Sequence, residues 1–163
     1  MAIITLNNNS LSSVTSLPAA ISTGKVLQVV QGTATSATTT SSSFSSTGLS
    51  ASITPSSTSN KVLIVVTLVQ CAVDTQNKNG TSTILRGSTN LAPTGSGNHK
   101  SFGTIYASSG GAIAMNETYS HLDSPSTTSA TTYTVHFAVD SGATMTMGIN
   151  STTSYIQLLE IEG

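Results

Sequence analysis

The stretch Lys61-Val-Leu-Ile-Val-Val-Thr-Leu-Val-Gln-Cys-Ala-Val73 decides the fold class. It is rich in β-branched residues, contains no Gly or Pro, and carries its single charge at the very start, so it reads as a long strand. Val62, Ile64, Val66 and Leu68 form one face, but Leu63, Val65 and Val69 make the other face apolar too. A strand with one wet face alternates apolar and polar residues, whereas one that is apolar at both parities needs cover on both sides. That cover is either a second layer of the same domain or a neighbouring subunit. Val62, Ile64, Val66 and Leu68 are therefore candidates for the core or for an oligomer interface.

Outward from this block the chain reads as short strands separated by Gly, Ser, Asn and Pro clusters, with no sustained helical period. Lys25-Val-Leu-Gln-Val-Val-Gln31 predicts a first strand. The Thr/Ser run at 33–43 is a linker by composition and an edge strand by propensity. Leu49, Ala51 and Ile53 alternate with Ser50 and Ser52, a half-buried strand that ends at Pro55. Asn79-Gly80 suits a tight hairpin turn, and residues 81–86 follow as a strand. After a polar loop at 87–98, strands are expected at 101–107 and 112–119, then a turn at 122–126. Tyr133, Val135, Phe137 and Val139 alternate with polar or small residues, turn at Asp140-Ser-Gly142, and lead into Ala143, Met145, Met147 and Ile149, a predicted hairpin. Residues 154–161 form the last strand. About eight to ten strands at this spacing predict an all-β fold, a jelly-roll-like antiparallel β-sandwich over residues 25–163. Residues 1–24 read as an extended N-terminal arm. In it Ala2, Ile3, Ile4 and Leu6 could add a strand to a neighbour, and Leu11, Val14 and Leu17 punctuate Ser-rich spacing as further neighbour contacts.

Composition narrows the partners. Charged residues make up 7% of the 163-residue chain, against about 25% in ordinary domains, and Ser and Thr fill much of the difference. With a net charge of −1 and its five cations, Lys25, Lys61, Lys78, Arg86 and Lys100, scattered, the chain lacks the basic patch that nucleic acid or an anionic membrane requires. Near-neutrality also removes the repulsion that keeps monomers apart, which suits a subunit of an assembly. The single Cys71 cannot form an intrachain disulfide and falls in the apolar run, where a thiol behaves as a small buried hydrophobe. Met1-Ala-Ile-Ile-Thr-Leu6 has no positive n-region, so synthesis and assembly in a cytoplasm are expected. The four Asn-x-Ser/Thr matches carry little weight in a chain this rich in hydroxyls.

Candidate chemistry is sparse. His99, His121 and His136 show no metal-ligand spacing, and Cys71 does not join them. His121 and Asp123 share one predicted turn and could form an acid–base pair, but there is no Gly-x-Ser-x-Gly elbow. Of the six carboxylates, Asp74, Asp123 and Asp140 fall in predicted turns, where they would cap backbone amides. Glu160 and Glu162 would point outward from the last strand, and Glu117 completes the set. A glycosidase pair would also want aromatic platforms, and the chain has no Trp. The expectation is a protein without catalytic residues, cofactor or metal.

Several segments together carry a resemblance: Leu17-Pro-Ala-Ala20, Gly24-Lys-Val-Leu-Gln-Val-Val-Gln31, Thr47-Gly-Leu-Ser-Ala-Ser-Ile-Thr-Pro-Ser56, Ser59-Asn-Lys-Val-Leu-Ile64, Leu122-Asp-Ser-Pro-Ser126 and Ile156-Gln-Leu-Leu-Glu-Ile161. In this order they resemble structural proteins of cyanophages and other aquatic bacteriophages, of the fibre-like or decoration-like kind. The resemblance spans most of the chain from Gly24 onward and implies a virion subunit that forms a homotrimer. It would be a capsid decoration (cement) protein that stabilises the shell, with the phage major capsid protein or another virion protein as partner. The alternative is a tail-fibre or head-fibre tip that binds a host surface glycan through the loops at 74–80 and 87–98.

Overall fold

The computed structural model describes residues 24–92, 95–97, 100–108 and 113–163. The predicted arm contacts Ala2, Ile3, Ile4, Leu6, Leu11, Val14 and Leu17 lie outside the described residues, as does His99.

Eleven strands are described: β1 (Val26–Ala34), β2 (Ala37–Thr39), β3 (Ser45–Ile53), β4 (Lys61–Val73), β5 (Lys78–Arg86), β6 (Thr89–Asn90), β7 (Gly103–Ala107), β8 (Ile113–Asp123), β9 (Thr131–Val139), β10 (Met145–Met147) and β11 (Ser154–Ile161). They build two antiparallel sheets packed face to face. The first runs β1-β11-β4-β8, with the short β10 and β2 prolonging the positions of β11 and β1. The second runs β3-β9-β5, with β7 and β6 sharing the far edge of β5. Counting the interrupted strands as one position each leaves four positions per sheet, and the chain crosses between sheets in the order of a jelly roll.

The β4 face that holds Val62, Ile64, Val66 and Leu68 is sealed inside the sandwich, each residue no more than 1% exposed. These four are core residues, so the interface side of their two-way expectation falls away. They pack with Leu49 and Ile53 of β3, Ile84 of β5, and Tyr133, Val135 and Phe137 of β9. Burying a side chain of this size contributes about 1.5–3 kcal/mol, so this layer is the main source of stability.

The double-sided apolar pattern of β4 has two causes. A bulge between Leu68 and Cys71, with Gln70 at φ 49, inserts an extra residue and switches the parity. Cys71 and Val73 thus turn inward although they stand at odd positions. The bulge is held by Asn116, which accepts from the Gln70 N–H at 2.8 Å, and by the Ser154 hydroxyl, which accepts from the Val69 N–H at 3.0 Å. On the outer side Leu63, Val65, Thr67 and Val69 are left half-buried, with Lys61 exposed at the strand's start.

Three local expectations need correction. Asn79-Gly80 is not a turn but part of β5. The chain reverses at 74–77 instead, with Asn77 at φ 59, and Gly80 is required because a side chain there would strike Val73 and Met145. Asp123 and His121 lie in β8, which takes the first two residues of the expected turn at 122–126, while residues 124–126 are loop with Ser126 at φ 52. The segments around Tyr133 and Met145 do not pair as a hairpin: β9 belongs to the second sheet, whereas β10 pairs with β4 and β2 in the first. Periodicity gave β3, β9 and β10 their inner faces correctly but carries no information on which sheet that face belongs to.

β1 and β3 come together where the two sheets meet, and Gly32 makes the approach possible, since a Cβ there would collide with the Ser50 carbonyl. Gly32→Ala should therefore lower the unfolding free energy by about 2 kcal/mol or more, measured by urea denaturation. An unchanged midpoint would mean that the sheets separate here at little cost.

Candidate functional site: an uncharged sheet face

The two sheets present opposite kinds of outer surface. On the second sheet the outward residues are hydroxylic: Ser46, Ser50 and Ser52 of β3 stand beside His136, Thr134 and Thr132 of β9. The Ser52 and Thr132 hydroxyls are 2.7 Å apart and hydrogen-bonded. Much of the Ser/Thr excess thus serves as an ordinary wet face.

The outer face of the first sheet is different. Strand register aligns Val29, Leu159, Leu63 and Leu122 in one row across β1, β11, β4 and β8. The next rows are Gln31, Gln157, Val65 and Ser120, then Thr33, Tyr155, Thr67 and Thr118. Toward the other end Val26, Ile161 and Lys61 align, and Lys61 is the only charge in these rows. Val29 is 59% exposed and Leu122 50%. Of the seven large exposed hydrophobic residues described, all but Tyr106 lie on strands of this sheet. Isolated exposed apolar residues are normal, but an uncharged face with an apolar row across four strands, flanked by Gln, Ser and Thr, has the composition of an interaction surface. The described chain starts at the rim of this face, where the Lys25 carbonyl accepts from the Glu162 N–H at 2.9 Å.

The sequence singled out Leu63, Val65 and Val69 on this side of β4. It did not single out Val29, Leu122, Leu159 or Tyr155, which alternation on their own strands could have flagged. Their gathering into rows depends on cross-strand register.

The candidate catalytic groups are held in structural contacts. Asp123 is 6% exposed; both its oxygens accept from Arg86 Nη1, at 3.0 and 2.7 Å, and Oδ2 also accepts from the Tyr133 hydroxyl at 2.7 Å. Its oxygens thus serve these partners rather than His121, whose ring lies 5.4 Å from that of Phe102. Asp74 and Asp140 do cap backbone amides, those of Thr144 and Asn79. Glu162 faces solvent with Lys25 at 3.8 Å. His136 Nδ1 is buried without a hydrogen-bond partner among the described residues, and burial lowers its pKa, so the ring is neutral at pH 7. Cys71 is buried, and desolvation together with the nearby Glu117 pushes its thiol up to about 12, an inert state. Among the described residues no three His, Cys, Asp or Glu side chains gather as metal ligands.

Two buried carboxylates were not legible from the sequence. Glu160, expected to point outward, is 1% exposed. It accepts from the Ser56 N–H and Asn60 Nδ2 at 2.6 Å, the Ser56 hydroxyl at 2.8 Å, and Gln28 Nε2 at 2.6 Å. This clasp ties the turn at 56–60 to β1 and β11. Desolvation works against its charge, but the bonds from Asn60, Gln28 and Ser56 outweigh it and hold the carboxyl at about 2. Glu117 lies in the seam between β8 and β5 with one bond, from the Ser82 hydroxyl at 2.8 Å, and desolvation raises its pKa.

The two carboxylates therefore bend the stability curve in opposite directions. Glu160 contributes stability above its ordinary value of 4.5, which is lost as pH falls toward about 2. Glu117 favours the fold in its protonated form, a contribution lost as pH rises from its ordinary 4.5 through its raised folded value. Glu160→Gln should cost about 2–3 kcal/mol at pH 7, because it sets an amide N–H₂ against a nest of donors. Glu117→Gln should be neutral or stabilising at pH 7 and flatten the decline above pH 5. Urea denaturation across pH 2–8 reads both, and the opposite signs would refute the assignment. In comparisons with known proteins, no family model matches this chain. No curated protein matches it significantly either.

Proposed function

We propose that this chain is a non-enzymatic structural subunit of a bacteriophage particle. In this reading it is a capsid decoration protein that assembles as a homotrimer on the head and stabilises the shell, so that its place is the virion. The observation that carries the reading is the uncharged outer face of the first sheet, centred on Val29, Leu63, Leu122 and Leu159. A face with almost no charge meets no like-charge repulsion from a second copy of itself, and charge depletion at the centre is what protein interfaces share. The resemblance of the segments from Gly24 onward to phage decoration-like and fibre-like proteins supports the same conclusion. Residues 2–6 of the arm would then bind the major capsid protein or a neighbouring subunit by strand addition, with several arms per oligomer adding avidity.

A fibre tip that binds a host glycan is the second reading. It is favoured by an open depression beside Gly87, at the start of one predicted recognition loop.

Replacing two exposed residues, Val29→Glu and Leu122→Glu together, should leave monomer stability within about 1 kcal/mol and convert the oligomer to monomer in sedimentation. A trimer that survives both changes would place the interface elsewhere. Quantitative gels of purified particles decide the location. Copy numbers that match the capsid lattice are expected, and a small set confined to the tail or one vertex would overturn the decoration role in favour of a fibre.

A further inference from the structure

The depression beside Gly87 encloses about 470 Å³, within the size range of small-ligand sites. Arg86, Gly87, Pro125, Thr127, Ala130 and Thr132 line it, and none of them belongs to the apolar face of the first sheet. It lies between the β5–β6 turn, the segment that joins β8 to β9 and the start of β9, where the Gly87 N–H donates to the Thr132 carbonyl at 3.3 Å.

Arg86 gives this depression its chemistry. Its Nη1 donates to Asp123 at 2.7 and 3.0 Å and to the Ser124 carbonyl at 3.2 Å. Asp123, steadied by the Tyr133 hydroxyl, therefore fixes the guanidinium plane. The donors on Nε and Nη2 form no hydrogen bond to the described residues. They make up the edge of a guanidinium that matches a carboxylate with two parallel bonds. The Arg86 side chain is 30% exposed and that of Asp123 8%, so the anchoring carboxylate is buried while the cation reaches the surface. Around it stand the Thr127 hydroxyl, which accepts from the Ser129 N–H at 3.1 Å, and the Thr132 hydroxyl, hydrogen-bonded to that of Ser52 at 2.7 Å; each keeps further capacity to bond a polyol.

We propose that this depression binds an acidic saccharide, with the uronate carboxylate on the free edge of Arg86 and the sugar hydroxyls on Thr127 and Thr132. This deepens the glycan-binding reading and rests on it. Asp123 already offsets the charge of Arg86, so discrimination comes from the paired geometry rather than net attraction. The bound sugar should therefore be lost when that geometry changes, even if the positive charge is kept.

The test is titration of the intact protein with trigalacturonate and with its methyl ester, followed by calorimetry or saturation-transfer NMR. Trigalacturonate should bind at least ~10-fold more tightly than the ester, and Arg86→Lys should remove that preference. Arg86 also holds Asp123, so a second variant is needed: Ala130→Trp, at an exposed position on the lining, should fill the depression and abolish binding in a protein that still folds. Equal affinity for acid and ester, no binding of trigalacturonate, or binding that survives Ala130→Trp would each overturn the site. A neutral saccharide that binds regardless of these changes would overturn it too, while leaving the protein a glycan-binding module.

Discussion

A β-strand has two faces, and a single copy of this sandwich can bury only one face of β4. The inner row, Val62 to Leu68, meets the second sheet and vanishes from solvent. The outer residues Leu63, Val65 and Val69 are left half-covered by neighbours in their own sheet. Much else about the molecule follows from this. The sandwich is stable because the inner layer is dry and well packed, whereas the outer layer of one sheet is neither charged nor fully covered, which is the ground for the proposed interface.

The contrast between the sheets sharpens this reading. Both faces could have been made wet with Ser and Thr, residues the chain uses freely, and the second sheet is made that way. The first sheet instead sets Val29, Leu159, Leu63 and Leu122 in register across four strands. Charges are few and most are engaged: Asp123 with Arg86, Glu160 with Asn60 and Ser56, Asp74 with the Thr144 amide and Asp140 with that of Asn79. The carboxylates here act as structural clasps, and a buried clasp holds best when both its oxygens accept hydrogen bonds, as at Glu160. Glu117, with its single bond from Ser82, marks the weaker seam between the sheets.

Strand content and several inner faces were legible from sequence, because alternation reports burial directly: β3, β9 and β10 each bury the residues their period indicates. What failed depends on partners distant along the chain. Asn79-Gly80 has the chemistry of a turn, yet it lies in a strand because Val73 and Met145 press on the glycine. The expected hairpin between β9 and β10 fails because the chain crosses from the second sheet to the first between them, as a jelly roll does at most of its connections. Glu160 alternated as an outward residue only if Glu162 set the phase; its true phase is that of Ile156 and Leu158. The apolar face was half legible, through β4 alone. Its remaining members sit on three other strands, and a bulge at Gln70 explains part of what had suggested a two-sided strand.

Two tyrosines provide an internal comparison for the central claim that the outer face of the first sheet is an assembly surface. Tyr155 lies on that face and is 39% exposed in the single chain, while Tyr106 lies on the second sheet at 50%. Covalent tyrosine labelling of the assembled protein, read by mass spectrometry, should modify Tyr106 and spare Tyr155. Comparable modification of both in the native assembly would contradict the account.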